Sequence, residues 1–211
     1  LIHGSGLRGA ANETAFLPKG SQWILAVGLG KAKGLSLERV RQFAGTAARS
    51  IRARGYRHLV LPVLRERGLG DTAMVAQALA EGALLGLYRY DKLRKVPAHE
   101  RNKRIDAITL VVERSSDVAA TKRVVEKAQV IAEAVSLARD LINGPSNLVT
   151  PTVLANEARK IAKQFRLKCT VIPFSQLKRQ GFGGIVGVAQ GSAHPAQFIV
   201  LDYRPRRAKV T

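Results

Sequence analysis

Ala138-Arg139-Asp140-Leu141-Ile142-Asn143-Gly144-Pro145-Ser146-Asn147-Leu148-Val149-Thr150-Pro151 is the stretch on which the reading of this chain turns. Its first residues close a helical pattern that starts near Asp117. Val124, Ala128, Ile131, Val135, Ala138 and Ile142 recur at steps of three and four, which puts one apolar stripe along a helix to Ile142. Asn143 to Asn147 is then dense in turn-forming residues and breaks that helix. Thr150-Pro151 starts another, with Thr as N-cap and Pro at the first helical position, where its missing N–H costs nothing. This second helix is predicted to end near Arg166. A break of this kind after a long connecting helix marks a domain boundary, giving residues 1–142 and 143–211.

Toward the N-terminus, Gln22 to Val27 is a short apolar run ending in Gly28-Leu29-Gly30 and reads as a buried strand followed by a tight turn. Ser36 caps a helix predicted through Arg54 and closed by Gly55, with Leu37, Val40, Ala44, Ala47 and Ile51 on its buried stripe. Arg41, Arg49 and Arg52 fall off the stripe and are expected to face solvent. His58 to Val63 reads as a strand, Thr72 to Leu87 as a helix, Asp91 to Arg104 as a charged surface loop, and Ile105 to Glu113 as a strand. Toward the C-terminus, Lys168 to Pro173 and Phe198 to Tyr203 read as strands flanking a helical turn at Gln176 to Gln180. Strands alternating with helices imply an α/β architecture with a substantially parallel sheet.

Composition narrows the function classes. Of 211 residues, 46% are hydrophobic and 24% charged, the profile of a soluble globular protein rather than a disordered one. No apolar run approaches the roughly 20 residues of a membrane-spanning helix. Leu1 to Gly6 shows no signal-peptide pattern, so nothing argues for export. The single cysteine, Cys169, cannot form an internal disulfide, which fits a reducing cytosol. Lys and Arg number 35 against 15 Asp and Glu, a formal charge of +20. The excess sits at both ends: 12 basic and 3 acidic residues in 1–70, 12 and 10 in 71–140, 11 and 2 in 141–211. A basic nucleic-acid-binding module is one reading of that balance. No basic block and no interleaved aromatics accompany it.

Candidate chemistry is sparse. Gly28-Leu29-Gly30-Lys31-Ala32-Lys33-Gly34 invites a phosphate-loop reading, in which backbone N–H groups and lysines hold an anion, yet it fits neither the P-loop nor the dinucleotide spacing. A simple strand-to-helix turn is the expectation. Gly181-Phe182-Gly183-Gly184 and Gly187 permit close backbone approach to a substrate or a tight turn beside packed strands, and the second is favoured. His3, His58, His99 and His194 are scattered, with no pair at metal-ligand spacing and no His-Glu-x-x-His, Cys pair or Gly-x-Ser-x-Gly elbow. Glu133 and Asp140 share a helix seven residues apart. A two-metal site needs several converging carboxylates, and no stretch supplies them. The sequence therefore assigns no catalytic, metal-binding or cofactor-binding residue.

Three motifs in order nevertheless resemble the M17 leucyl aminopeptidase family, also called cytosol aminopeptidases. Ala138 to Pro151 is similar to the family's Ala-Arg-Asp-Leu-x-Asn-x-Pro-x-Asn-x-x-Thr-Pro junction. Gly181 to Ser192 is similar to its Gly-Met-Gly-Gly…Val-x-x-Gly-Ser segment, and Phe198 to Tyr203 to the strand before its catalytic core. Val27 to Lys31 and Glu81 to Asp91 give weaker support. The resemblance implies a macro-domain-like α/β/α sandwich with its linking helix over residues 1–142 and the beginning of an α/β zinc-peptidase domain over 143–211. It further implies removal of N-terminal residues from peptides, two divalent ions (Zn or Mn), a homo-hexamer and a cytoplasmic location for the full-length protein. Some members also bind DNA, and the implied macro-like domain gives a weaker reading in which the Gly28–Gly34 loop serves an ADP-ribose-type ligand. The family's lysine and metal-binding carboxylates belong to motifs lying beyond the strand that Lys209-Val210-Thr211 is expected to open. No catalytic or metal residue is carried onto this sequence, and residues 1–211 alone are expected to hold no metal and hydrolyse nothing.

Overall fold

The computed structural model describes residues 6–20, 22–66, 68–101 and 103–205. The expectations placed on His3 and on the strand opening at Lys209 lie outside these residues. The fold is mixed α/β, and the chain divides into two compact units, Leu1–Ala138 and Arg139–Thr211.

The first unit begins with a hairpin, β1 (Thr14–Lys19) and β2 (Gln22–Val27), paired antiparallel from Thr14↔Val27 to Lys19↔Gln22. Gly20, at φ 59°, supplies the positive dihedral that so short a connection requires. β1 was not anticipated from sequence, because Pro18 interrupts its pattern. Its presence also changes β2: the strand is a hairpin arm with Trp23 51% exposed, not the buried strand expected.

α1 (Leu37–Ala53) follows, capped by Ser36, whose Oγ accepts from the Arg39 N–H at 3.2 Å. β3 (His58–Pro62) then leads to α2 (Thr72–Leu87), capped by the Asp71 carboxylate on the Met74 N–H at 2.8 Å. The segment 91–104, read as loop, contains one short helix, α3 (Ala98–Arg101). β4 (Ala107–Val111) pairs parallel with β3, from His58↔Ala107 to Pro62↔Val111. The core is continuous across these elements: Val40, Ala44, Ala47, Ala48 and Ile51 of α1, Leu59 and Leu61 of β3, and Val75, Ala76, Leu79 and Ala83 of α2 are all buried. Burying a side chain the size of Val75 or Leu79 contributes about 1.5–3 kcal/mol each.

Glycine lets α1 and α2 approach as closely as they do. A Cβ on Gly82 would stand 2.2 Å from the carbonyl oxygen of Arg41, and one on Gly86 would stand 2.6 Å from Gly45 Cα. The same contact overturns the expectation that Arg41 and Arg52 face solvent. Arg41 Nε donates to the buried Glu81 carboxylate at 2.6 Å, and Arg52 donates to the Leu87 carbonyl at 2.8 Å. Both side chains reach across to α2, satisfying groups that would otherwise be desolvated without a partner.

α4 (Val118–Asn143) carries the chain across the division between the units. Its apolar stripe was expected to run along one face to Ile142, and its burial is uneven. Ala128 and Ala132 are buried, whereas Ile142 is 82% exposed. In the second unit α5 (Pro151–Phe165) starts at the anticipated Thr150 cap, whose Oγ1 accepts from the Val153 N–H at 3.3 Å. It ends on Arg166 in the left-handed region, φ 56°. β5 (Lys168–Pro173) and β6 (Gln197–Asp202) pair antiparallel, with α6 (Phe174–Arg179) and α7 (Gly183–Ala189) between them. The glycine-rich stretch is thus a helix rather than a tight turn beside strands. Cβ atoms on Gly183, Gly184 and Gly187 would meet nothing within 4 Å among the described residues.

Among the described residues there are three two-stranded sheets, of which only β3–β4 is parallel. The substantially parallel sheet expected from strand–helix alternation is corrected by the hairpin at Gly20 and by the return of β6 against β5.

Candidate functional site

The loop between β2 and α1 was the sequence's one candidate anion cradle. In the structure three of its backbone donors, those of Gly28, Gly30 and Gly34, are already engaged. The Gly28 N–H donates to the Glu13 carbonyl at 2.8 Å and the Gly30 N–H to the Gly9 carbonyl at 3.0 Å. Farther on, Gly34 donates to Lys31 and Leu35 to Ala32, closing a 3-10 turn. Gly28 has no room for a side chain, since a Cβ would meet the Ala10 carbonyl oxygen at 2.0 Å. The glycines therefore serve packing of segment 9–13 against the loop, the structural role that the sequence favoured.

Segment 8–13 holds an anion of its own. One oxygen of the Glu13 carboxylate accepts from the N–H groups of Arg8 and Ala10, both at 3.0 Å. The Arg8 bond, with further backbone donors and the Arg8 charge, holds this carboxyl below the usual range against a smaller opposing effect of desolvation. A cleft of about 710 Å³ adjoins, with Arg8, Lys31 and Arg39 on its walls.

A second cleft, about 530 Å³, lies beyond the C-terminal ends of the parallel strands and is lined by Arg65, Glu66, Asp71, Thr72 and Asp117. Its carboxylates have structural work. Asp71 caps α2, and Asp117 accepts from the Thr72 hydroxyl at 3.3 Å. A third cleft, about 490 Å³, is lined by Arg52, Arg89, Arg101, Lys103 and Arg104, with Asp91 and Glu100 and the apolar Leu87, Val96 and Ile105. Sequence reading treated this segment as a solvated loop. The signal it held was the density of arginine between Arg89 and Arg104, which the fold gathers beside Arg52.

The scattered histidines stay apart. His58 Nε2 lies 2.8 Å from Thr109 Oγ1 across the parallel pair, His99 is 3.8 Å from Glu100, and the His194 N–H donates to Ser192 Oγ. Among the described residues no three His, Cys, Asp or Glu side chains converge as a metal site would require. Nor is any helix among them long and apolar enough to cross a membrane.

The motif segments have definite geometry. The long helix closes with the Gly144 N–H on the Asp140 carbonyl at 3.1 Å. The Leu148 and Val149 N–H groups both turn back to the Pro145 carbonyl at 2.9 Å, aiming the chain into the Thr150 cap. In the second motif, Gly181 takes φ 78° and the Phe182 ring packs on Phe198 of β6 at 5.3 Å between centroids.

Comparison with known proteins identifies the class. Residues 1–97 match the N-terminal domain of the cytosol aminopeptidase family, and residues 136–211 match that family's catalytic domain. A probable cytosol aminopeptidase of Roseiflexus castenholzii is 36% identical over 210 residues, covering 96% of this chain and 42% of its own. One of Corynebacterium glutamicum is 36% identical over 186 residues, covering 88% and 34%. Among solved structures, the bottromycin maturation enzyme BotP in complex with Mn superposes with a TM-score of 0.79 at 31% identity, over 95% of this chain and 41% of that one. A mutant tomato leucine aminopeptidase gives 0.81 at 25% identity, over 96% and 40%. The chain belongs to the cytosol aminopeptidase family, contributing its N-terminal domain and the opening portion of its catalytic domain. It spans about two fifths of the length of these relatives.

Proposed function

We propose that the full-length polypeptide is a metal-dependent leucyl aminopeptidase that removes N-terminal residues from peptides in the cytoplasm as a homo-hexamer. The supporting observation is the match to both family domains in their native order, joined at the Asn143–Pro151 turn. Bound divalent ions, Zn or Mn, would activate a water and polarise the scissile carbonyl. The described residues offer no ligand cluster for them. In this reading residues 1–211 act as scaffold and are expected to hydrolyse nothing alone.

The test is release of leucine from a leucyl anilide by the full-length protein, abolished by a chelator and restored by Mn or Zn. A full-length protein inert with either metal overturns the reading, and so does metal-dependent hydrolysis by residues 1–211. The formal charge of +20 supports a second role, contact with nucleic acid through phosphate. Duplex binding that falls steeply with salt is its expected signature, and no binding at low salt removes it. The loop at Gly28–Gly34, with its three glycine N–H groups engaged, lends no support to an ADP-ribose-type ligand.

A further inference from the structure

The cleft beside Arg52 has a charge balance that its own carboxylates do not settle. Five cationic side chains, Arg52, Arg89, Arg101, Lys103 and Arg104, line it against two carboxylates, Asp91 and Glu100, a difference of 5 − 2 = +3. Both carboxylates are already engaged. Glu100 accepts from Arg89 at 2.9 Å and Arg94 at 2.7 Å, and Asp91 pairs with Arg89 at 3.0 Å. Arg104 turns to Asp106 at 2.8 Å. Among the described residues, Arg52, Arg101 and Lys103 lie in no ion pair. Arg52 and Arg101 instead donate to the carbonyls of Leu87 and Val96, which anchors each guanidinium at the cleft with donors to spare.

Burial, and the charges of Arg89 and Arg49, press the Arg52 guanidinium below its ordinary basicity. A cation held among cations in a partly enclosed space is an arrangement that an oxyanion relieves. Arginine forks match phosphate oxygens two at a time. Leu87, Val96 and Ile105 add an apolar wall, and a volume of about 490 Å³ is that of a small-molecule site.

We propose that this cleft binds a ligand carrying two or three linked phosphates, held by Arg52, Arg101 and Lys103. The site is independent of the peptidase reading, since it stands wholly on the first unit and involves no metal.

The experiment is calorimetric titration of the full-length protein with sodium tripolyphosphate, for the wild type and for R101A/K103A, neither of which touches the core. The expected result is saturable binding that weakens with salt and is at least about tenfold weaker in the double variant, as loss of charge-assisted hydrogen bonds dictates. A control, K160A/K163A, removes the same charge from the exposed face of α5 and keeps wild-type affinity. Absence of binding in the wild type overturns the proposal, as does equal weakening in the control, which would mean diffuse attraction to a basic protein. Failure of duplex DNA to compete supports a compact oligophosphate, whereas full competition by duplex DNA, whose phosphates are joined only through sugars, overturns that assignment.

Discussion

Replacing Gly82 by alanine tests how α1 and α2 are held. The added Cβ would stand 2.2 Å from the Arg41 carbonyl oxygen and 2.7 Å from Arg41 Cα. Both are backbone atoms of a helix, so no rotamer change relieves the contact, and α1 must withdraw by about 1 Å to restore an ordinary separation. A gap of that size forfeits roughly a quarter to a half of the dispersion attraction between facing atoms. It also stretches the neighbouring Arg41–Glu81 contact. Overpacking against backbone belongs at the upper end of the usual 1–3 kcal/mol. Alanine returns about 1 kcal/mol through helix propensity, so the net cost is about 2 kcal/mol. For a chain of this size that lowers Tm by roughly 4–8 °C. The only tryptophan, Trp23, lies in the first unit, and its fluorescence during melting reports on that unit. Gly187→Ala is the matched comparison: it is helical and open, gains up to about 1 kcal/mol, and lies in the second unit, so its melting is followed by far-UV circular dichroism. A G82A protein that melts at or above wild type, or a G187A protein that falls as far, would refute the account of the seam.

Two further predictions concern carboxylates. Burial pushes the Glu81 carboxyl up, but hydrogen bonds from Gln77 and Arg41 with the charges of Arg41 and Lys127 together carry it below its ordinary 4.5. Asp106, bonded by Arg57, is likewise lowered from 3.8. Groups lowered on folding stabilise fully above their unfolded values and lose that contribution as pH falls through the folded ones. The urea midpoint of the first unit therefore declines on acidification below about pH 4.5. Glu81→Gln lowers the midpoint at neutral pH and flattens this decline, whereas an identical midpoint at pH 7 and pH 3 in the wild type would contradict it. The second concerns Glu13. In Glu13→Ala the Arg8 and Ala10 amides lose their acceptor, and their hydrogen exchange accelerates relative to amides of α1. Unchanged protection there would show that the carboxylate does not order the segment.

What could be read without coordinates was local in origin. Ser36 and Thr150 were recognisable as caps because a cap is a relation between residues three apart, and α2 was marked by a run rich in Ala and Leu. The family itself was legible in three spaced motifs. What escaped depended on distance. Arg41 looked solvent-facing on its own helix because its partner is 40 residues away. β1 escaped because Pro18 obscures a strand that only its pairing with Trp23 establishes. The glycines of α7 argued for a turn, since glycine disfavours helix, and the helix forms despite them. The basic cleft was invisible for the same reason as Arg41: Arg52 and Arg101 are neighbours in space alone.

The passage of α4 through the division at Ala138 has a consequence for dissecting the protein. Proteases need a segment that opens into an extended strand, and boundaries between domains usually provide one. Here the boundary residues are mid-helix, their amides bonded to carbonyls one turn back, so cleavage there requires unwinding first. Trypsin should instead find the exposed Arg101, at the end of α3, and Arg104, between α3 and β4, and nick the first unit internally. A gene cut at the boundary would leave each half with a stump of α4. Separate production of the halves calls for a cut after Asn143, giving the whole helix to the N-terminal piece.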